Sequence, residues 1–329
     1  MKSRSISIIL PKTFITGNPS LRTLLSLGSA GWLKPLRPDL NMPGIFSGLL
    51  LLLKIKLVLS LDDRIFPAVT QQVVKVSTVW VLLLSVGCAG SLQERPDFLE
   101  RTISIGQTTY RYQVFLPLGW RRGEVWPVIL FLHGNGERGN DGLRQTRVGI
   151  GPVIRRNPEK VPAIVLLPQC RKGMWWTHRE METLALSILE VSLQEFNGDP
   201  ARTSLTGISM GGYGTWNLAA RYPGKFVALA PICGGVLPPP GVRIPEGHPP
   251  VEFSVAPYRE MAKRIGDTPV WIFHGTDDQR VPVSESRKMA EAIQLAGGGV
   301  RYSEYAGIGH NSWENAYDEP DFFQWILSH

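Results

Sequence analysis

The stretch Gly207-Ile208-Ser209-Met210-Gly211-Gly212-Tyr213-Gly214 sets one serine among four glycines. A serine hydroxyl is a weak nucleophile near neutral pH and works only when a base takes its proton and an acid orients that base. A Gly-rich stretch can instead cradle phosphate, but that needs Gly-Lys-Ser/Thr at a helix start, and this chain has Gly211-Gly212-Tyr213 there. "TSLTGIS" (203 to 209) reads as a strand and "MGGYGTWNLAARYP" (210 to 223) as a helix. A strand entering Gly-x-Ser-x-Gly and leaving as a helix is a nucleophile elbow, which makes Ser209 the candidate nucleophile.

On such an elbow the acid and the base follow in chain order, each after a later strand. "PVWIFHGTDDQRVPV" (269 to 283) offers Asp277 and Asp278 at a strand end, and "EYAGIGHNSW" (304 to 313) offers His310 after the last strand. His133 and His274 stand at strand ends beside glycine and are expected to shape loops. His178 and His248 lie in irregular segments and His329 is terminal, so His310 is the expected base. Chemistry alone leaves the acid open between Asp277 and Asp278.

The elements that must hold these groups are regular from about residue 99. "RTISIG" (101 to 106) and "YRYQVFLP" (110 to 117) alternate like two antiparallel strands. Continuous apolar runs follow, of the kind buried on both faces: "VWPVILFLHG", "PAIVLLPQC", "TSLTGIS", "FVALAPICG" and "PVWIFHG". Helical patterns lie between them, notably 181 to 196, the run after Ser209, and 284 to 298 with its terminal glycines. "VRYSEYAG" (300 to 307) adds a last strand and "EPDFFQWILSH" (319 to 329) a closing helix. Strand and helix in alternation predict an α/β fold with a mostly parallel central sheet and helices on both faces.

From about residue 110 to its end the chain resembles the α/β-hydrolase superfamily, in particular the esterase branch similar to polyhydroxybutyrate depolymerases, feruloyl esterases and the phospholipase/carboxylesterase group. In that branch the acid stands in His-Gly-x-x-Asp-x-x-Val-Pro. Here the motif reads His274-Gly275-Thr276-Asp277-Asp278-Gln279-Arg280-Val281-Pro282, so the resemblance implies Asp278 as the acid, with Asp277 bracing the turn. An oxyanion formed by attack on a carbonyl needs preorganised donors. One is expected from the backbone N–H of Met210, which follows the nucleophile. The second is expected in "FLHGNGERGND" (131 to 141), where resemblance to the His-Gly-x-Gly motif implies the N–H of Asn135. Glu137 and Arg138 are read either as an ion pair bracing that loop or as solvated charges.

The implied activity is that of a serine esterase acting on a small-molecule or polymer-linked ester without a cofactor or metal. The alternatives are a serine peptidase of the prolyl-oligopeptidase-like type and a non-catalytic scaffold of the same fold, which would lack a triad member. Met174, Trp175 and Trp176 after the "LLPQC" strand, and Trp313 after His310, can line an acyl or aryl pocket or simply pack. Residues 234 to 250, "GGVLPPPGVRIPEGHPP", hold six prolines and predict a stiff loop with no large lid.

The first 90 residues differ from the rest. Up to residue 80 there are 10 Lys/Arg against 3 Asp/Glu; beyond it there are 25 of each. The net charge of +7 therefore sits outside the catalytic part, which argues against nucleic-acid binding. "IFSGLLLLLKIKLVLSL" (45 to 61) carries Lys54 and Lys56 and is a poor membrane span. "VSTVWVLLLSVGCAG" (76 to 90) follows Lys75 and has the build of an export signal. It resembles a lipobox with Cys88 as the lipidated residue, although Ser85 stands where leucine is usual. The expected organisation is a doubtful extension or mis-assigned start at 1–73, signal and tether at 74–98, and a catalytic domain at 99–329. Export follows, to the periplasm or cell surface, with membrane contact only through the N-terminal anchor. Cys170 and Cys233 are left either paired or free, and no Cys/His cluster has zinc spacing.

Overall fold

The computed structural model describes residues 98–238, 241–242 and 256–329. Cys88, the signal and tether, and most of the proline-rich loop lie outside the described residues. Eight strands form one sheet: β1 Leu99–Ile105, β2 Thr108–Phe115, β3 Trp126–Leu132, β4 Ile164–Pro168, β5 Gly198–Ile208, β6 Leu229–Ile232, β7 Val270–Gly275 and β8 Val300–Tyr305. Their spatial order is β1-β2-β4-β3-β5-β6-β7-β8. β1–β2 and β2–β4 pair antiparallel, and every other pair is parallel. The antiparallel opening and parallel body are those the alternating and continuous runs predict.

Seven α-helices cover the sheet among the described residues: α1 Ile150–Arg156, α2 Arg179–Phe196, α3 Met210–Arg221, α4 Pro257–Ile265, α5 Ser284–Leu295, α6 Trp313–Asp318 and α7 Phe322–Ile326. Because successive strand side chains point to opposite faces, β3 sends Val128, Leu130 and Leu132 to one core and Ile129 and Phe131 to the other. The first core is closed by α2, α3, α4 and α5, the second by α1, α6 and α7. Full burial of each such side chain contributes about 1.5–3 kcal/mol, so β3 is an anchored rail whose carboxyl end cannot wander. Among the described residues no helix is long and apolar enough to cross a membrane.

The boundaries differ from the pattern in physical ways. β5 starts at Gly198, five residues before the apolar run, because Trp126 pairs with Gly198 and Val128 with Thr203 across a register shift. The α2 helix starts at Arg179, where the His178 side chain accepts a hydrogen bond from the Glu180 N–H. This cap is invisible to a search for Ser, Thr, Asp or Asn.

Candidate active site

Ser209 ends β5 and starts α3 with φ 52° and ψ −115°. A non-glycine residue in that region stores about 1–3 kcal/mol, and the elbow around it has no room to relax. A Cβ on Gly207 would stand 2.3 Å from the Gly211 carbonyl oxygen, and one on Gly211 would stand 1.9 Å from that of Leu132. The two glycines let α3 cross the carboxyl end of β3 at backbone contact. The Ser209 N–H is fixed by the Ile232 carbonyl at 2.9 Å.

Asp278 and His310 converge on this serine from the ends of β7 and β8. Ser209 Oγ lies 2.8 Å from His310 Nε2, and His310 Nδ1 lies 2.7 Å from Asp278 Oδ2. A carboxylate only accepts, so Nδ1 carries the imidazole proton and Nε2 is free to accept from the serine hydroxyl. The Gly275 turn allows this approach: a Cβ there would meet the Ile308 carbonyl oxygen at 2.2 Å. Asp278 is buried, and burial alone would raise its pKa. Hydrogen bonds from His274 and His310 and from the Val281 and Arg280 N–H groups outweigh that and hold it well below the usual carboxylate range. Asp277 points away: it is exposed and accepts from the Thr276 hydroxyl at 2.7 Å.

The second flank of the site is the loop after β3. Asn135–Glu137 forms a single 3-10 turn, and a Cβ on Gly134 would be 3.7 Å from Ser209 Cβ, so this backbone lies against Ser209. Arg138 does not pair with Glu137; its Nε donates to the Asn135 carbonyl (3.1 Å) and one terminal nitrogen to the Met174 carbonyl (3.1 Å). Gln169, itself buried, accepts from the Gly142 N–H (2.7 Å) and donates to the Glu137 carbonyl (3.0 Å) and to Asp141 (3.0 Å). The Glu137 carboxyl is pushed up by burial, against hydrogen bonds from backbone N–H groups of its own loop.

Of the expected pocket residues, Trp175 is half-buried and sets its ring edge against Tyr213, with 5.7 Å between centroids. Trp313 does the same to His310 at 5.6 Å. Trp176 requires a correction. It is 1% exposed, its indole N–H donates to the His133 carbonyl at 2.9 Å, and its Cβ fills the space left open at Gly214. It is a packing residue of the first core and does not face a substrate.

Cys170 and Cys233 are both free and buried. Cys233 has φ 41°, and its sulfur lies within 4.8 Å of ligand-type atoms of Asp278 and His310. Those three groups could hold a cation only by disrupting the Asp278–His310 hydrogen bond. Burial pushes the Cys233 thiol pKa up, which keeps it a neutral neighbour. Sequence reasoning missed Gln169 and the contact of His274 with Asp278, because no residue-type signal separates them from ordinary loop polar groups; it offered Arg138 as a partner of Glu137 or a solvated charge, not as a donor to the Asn135 and Met174 carbonyls.

The family model Esterase, described as "Putative esterase", matches residues 104–322. A secreted protein of Arthroderma benhamiae is 24% identical over 221 residues, 60% of this chain and 22% of that protein. A poly(3-hydroxyoctanoate) depolymerase of Pseudomonas fluorescens is 28% identical over 172 residues, 45% of this chain and 61% of that enzyme. The chain thus spans less than two thirds of either relative. The crystal structure of a thermostable esterase superposes with a TM-score of 0.57 at 30% identity, covering 71% of this chain and 63% of that one.

Proposed function

The chain belongs to the esterase family, and from that premise we propose that it hydrolyses carboxylic esters through an acyl-enzyme formed on Ser209. The observation that carries this reading is the unbroken run Ser209 Oγ, His310, Asp278, with both hydrogen bonds at 2.7–2.8 Å. Ser209 Oγ attacks the ester carbonyl carbon as its proton passes to His310 Nε2. The imidazolium is held by Asp278, whose depressed pKa keeps it ionised. The tetrahedral oxyanion is met by the N–H groups of Met210 and Asn135, each worth about 3–4 kcal/mol to the transition state by analogy with measured donors. Collapse breaks the carbon–alkoxy bond, and His310 returns its proton to the leaving alcohol. Water then attacks the acyl carbon as its proton passes to His310, and collapse breaks the bond to Ser209 Oγ, which takes that proton back from His310 as the acid leaves.

The substrate is a small-molecule or polymer-linked ester whose apolar part lies between Trp175 and Trp313. The depolymerase relative supports testing hydroxyacyl polyesters first. A complete triad speaks against a scaffold without catalysis. The chain is exported, a reading supported by the apolar run before Cys88 and by the secreted relative. Lipid attachment at Cys88 is the finer part of that reading, and Cys88→Ser should leave the membrane fraction or remain unprocessed.

The decisive experiment treats the purified chain with a fluorophosphonate probe and assays acetyl, longer acyl, feruloyl, polyester and peptide substrates. Labelling at Ser209, lost in Ser209→Ala together with ester turnover, is expected. Full activity in Ser209→Ala would sink the mechanism, and turnover of peptides alone would move the chain to the peptidases.

A further inference from the structure

We propose that His274 is a positioning residue for the reaction, donating a second imidazole N–H to the carboxylate that orients His310. This rests on the triad reading above. His274 is fully buried at the end of β7. Its Nε2 lies 3.0 Å from the Val281 carbonyl oxygen and 3.2 Å from Asp278 Oδ2. Both are acceptors only, so Nε2 must carry a proton. Its Nδ1 lies 2.7 Å from Ser286 Oγ, whose hydroxyl donates to it when the ring is neutral. Asp278 Oδ2 is therefore shared between two imidazoles, while Oδ1 takes the N–H groups of Arg280 (2.8 Å) and Val281 (2.9 Å).

The consequence is both steric and electrostatic. Four donors on one carboxylate leave it a single orientation, the one that meets His310. The His274 N–H also withdraws charge from the oxygen that faces His310, so it limits how firmly the imidazolium is held. The other charged or titratable groups facing this pair are few. Glu304 on β8 stands beside His274 and is neutralised by Arg287 of α5. Cys233 at the end of β6 and Tyr213 on α3 face Asp278, and burial raises the pKa of both, keeping them neutral. With the His274 donor gone, more of the carboxylate's charge reaches His310, whether His274 had been neutral or charged. The acidic limb of the kcat/KM profile then moves to higher pH.

Two amide variants separate this role from simple loop shaping. In His274→Gln the amide nitrogen reaches the place of Nε2 and can still donate to Asp278 and Val281. In His274→Asn it reaches only the place of Nδ1, beside Ser286. We expect His274→Gln to keep the native acidic limb and most of kcat. His274→Asn should lose roughly tenfold in kcat with KM little changed, and its limb should rise by about half a pH unit or more. Equal behaviour of the two variants, or a native limb in His274→Asn, overturns the proposal. If His274→Asn does not fold, the glutamine variant decides: a limb within about 0.2 units of native supports the proposal and a shift of half a unit refutes it. Fluorophosphonate labelling of Ser209 in the native chain is measured alongside. Failure there would strike the triad reading and not the role of His274.

Discussion

At the ends of β7 and β8 the site is assembled around one charge, with Asp278 collecting donors from His274, His310, Arg280 and Val281. At the ends of β3 and β4 it is assembled around backbone groups. His133 accepts the Cys170 N–H, Trp176 donates to the His133 carbonyl, and Gln169 links Gly142, Glu137 and Asp141. The first region presents side chains whose chemistry is their own. The second aims the main chain, and its side chains act only through what they hold. Damage should differ accordingly: the charged region fails in the chemical step, whereas the neutral region can fail in the chemical step, in stability or in acid tolerance.

The largest expected effect breaks the charged region. Asp278→Asn should lower kcat by about 10³- to 10⁴-fold, because His310 loses its tautomer and orientation. Asp277→Asn should stay within a few-fold of native, since the exposed Asp277 side chain accepts from the Thr276 hydroxyl and not from His310, and its N–H to Ile308 survives. Steady-state kinetics on an activated ester checks both, and the reverse order would move the acid to Asp277.

The next effect separates two adjacent tryptophans of the neutral region. Trp176→Ala empties a fully buried indole site and should cost about 3–5 kcal/mol of stability. Trp175→Ala removes a half-buried ring set edge-on to Tyr213 and, on the proposed substrate pocket, should mainly raise KM for esters with bulky acyl groups. Denaturant unfolding together with kinetics distinguishes them; a stable Trp176→Ala with raised KM would return that residue to the pocket.

A smaller effect concerns aim. Gln169→Leu removes one acceptor and two donors from the loop that carries Asn135, leaving the buried Gly142 N–H without its partner. An oxyanion donor acts mainly in the transition state, so kcat should fall roughly 10- to 100-fold with KM little moved. Parallel changes in kcat and KM would show that the loop serves binding instead.

The same contrast explains what could be read from the sequence. Ser209, His310 and the elbow glycines were legible because few structures want those residue types between a strand and a helix. The mostly parallel body of the sheet was legible from apolar runs buried on both faces, whereas its strand order was not, since such runs do not say which strands are neighbours. Asp278 was separable from Asp277 only through the His-Gly-x-x-Asp-x-x-Val-Pro resemblance, since propensity does not say which of two adjacent acids turns inward. Gln169 left no signal, because two of its three partners are main-chain groups that every residue has, and Arg138 was noticed only as a partner for Glu137 or a solvated charge, since its carbonyl targets are equally anonymous. Trp176 was misleading for a related reason: an indole at a strand's carboxyl end has the same composition whether it lines a cleft or plugs the wall behind it. His274 was taken for a loop-shaping residue because its partner Ser286 lies on the following helix and its acid stands four residues on.

The smallest effect tests the neutral region through pH. His133 is fully buried, with Nε2 accepting from Cys170 and Nδ1 donating to Gly134. Burial brings its pKa down to about 4, with the Gly134 carbonyl opposing the shift and Arg138 adding to it. The ring is therefore neutral in the folded protein and titrates near 6.5 when unfolded. Between those values the unfolded state binds the extra proton, so the stability this group permits is complete above about 6.5 and falls as pH drops toward about 4. From pH 7.5 to 5.5 the expected loss is on the order of 1 kcal/mol. Asp278 contributes nothing in that window, because its depressed carboxyl is ionised in both states there and its stabilisation is lost only at lower pH. Denaturant unfolding at the two pH values should show the native chain losing about 1 kcal/mol more than His133→Asn, which lacks the titrating ring but can still donate to Gly134. Equal losses in the two proteins would mean that the histidine takes up its proton without unfolding, and that the wall behind the loop after β3 is less sealed than the Cys170, Gly134 and Trp176 contacts require.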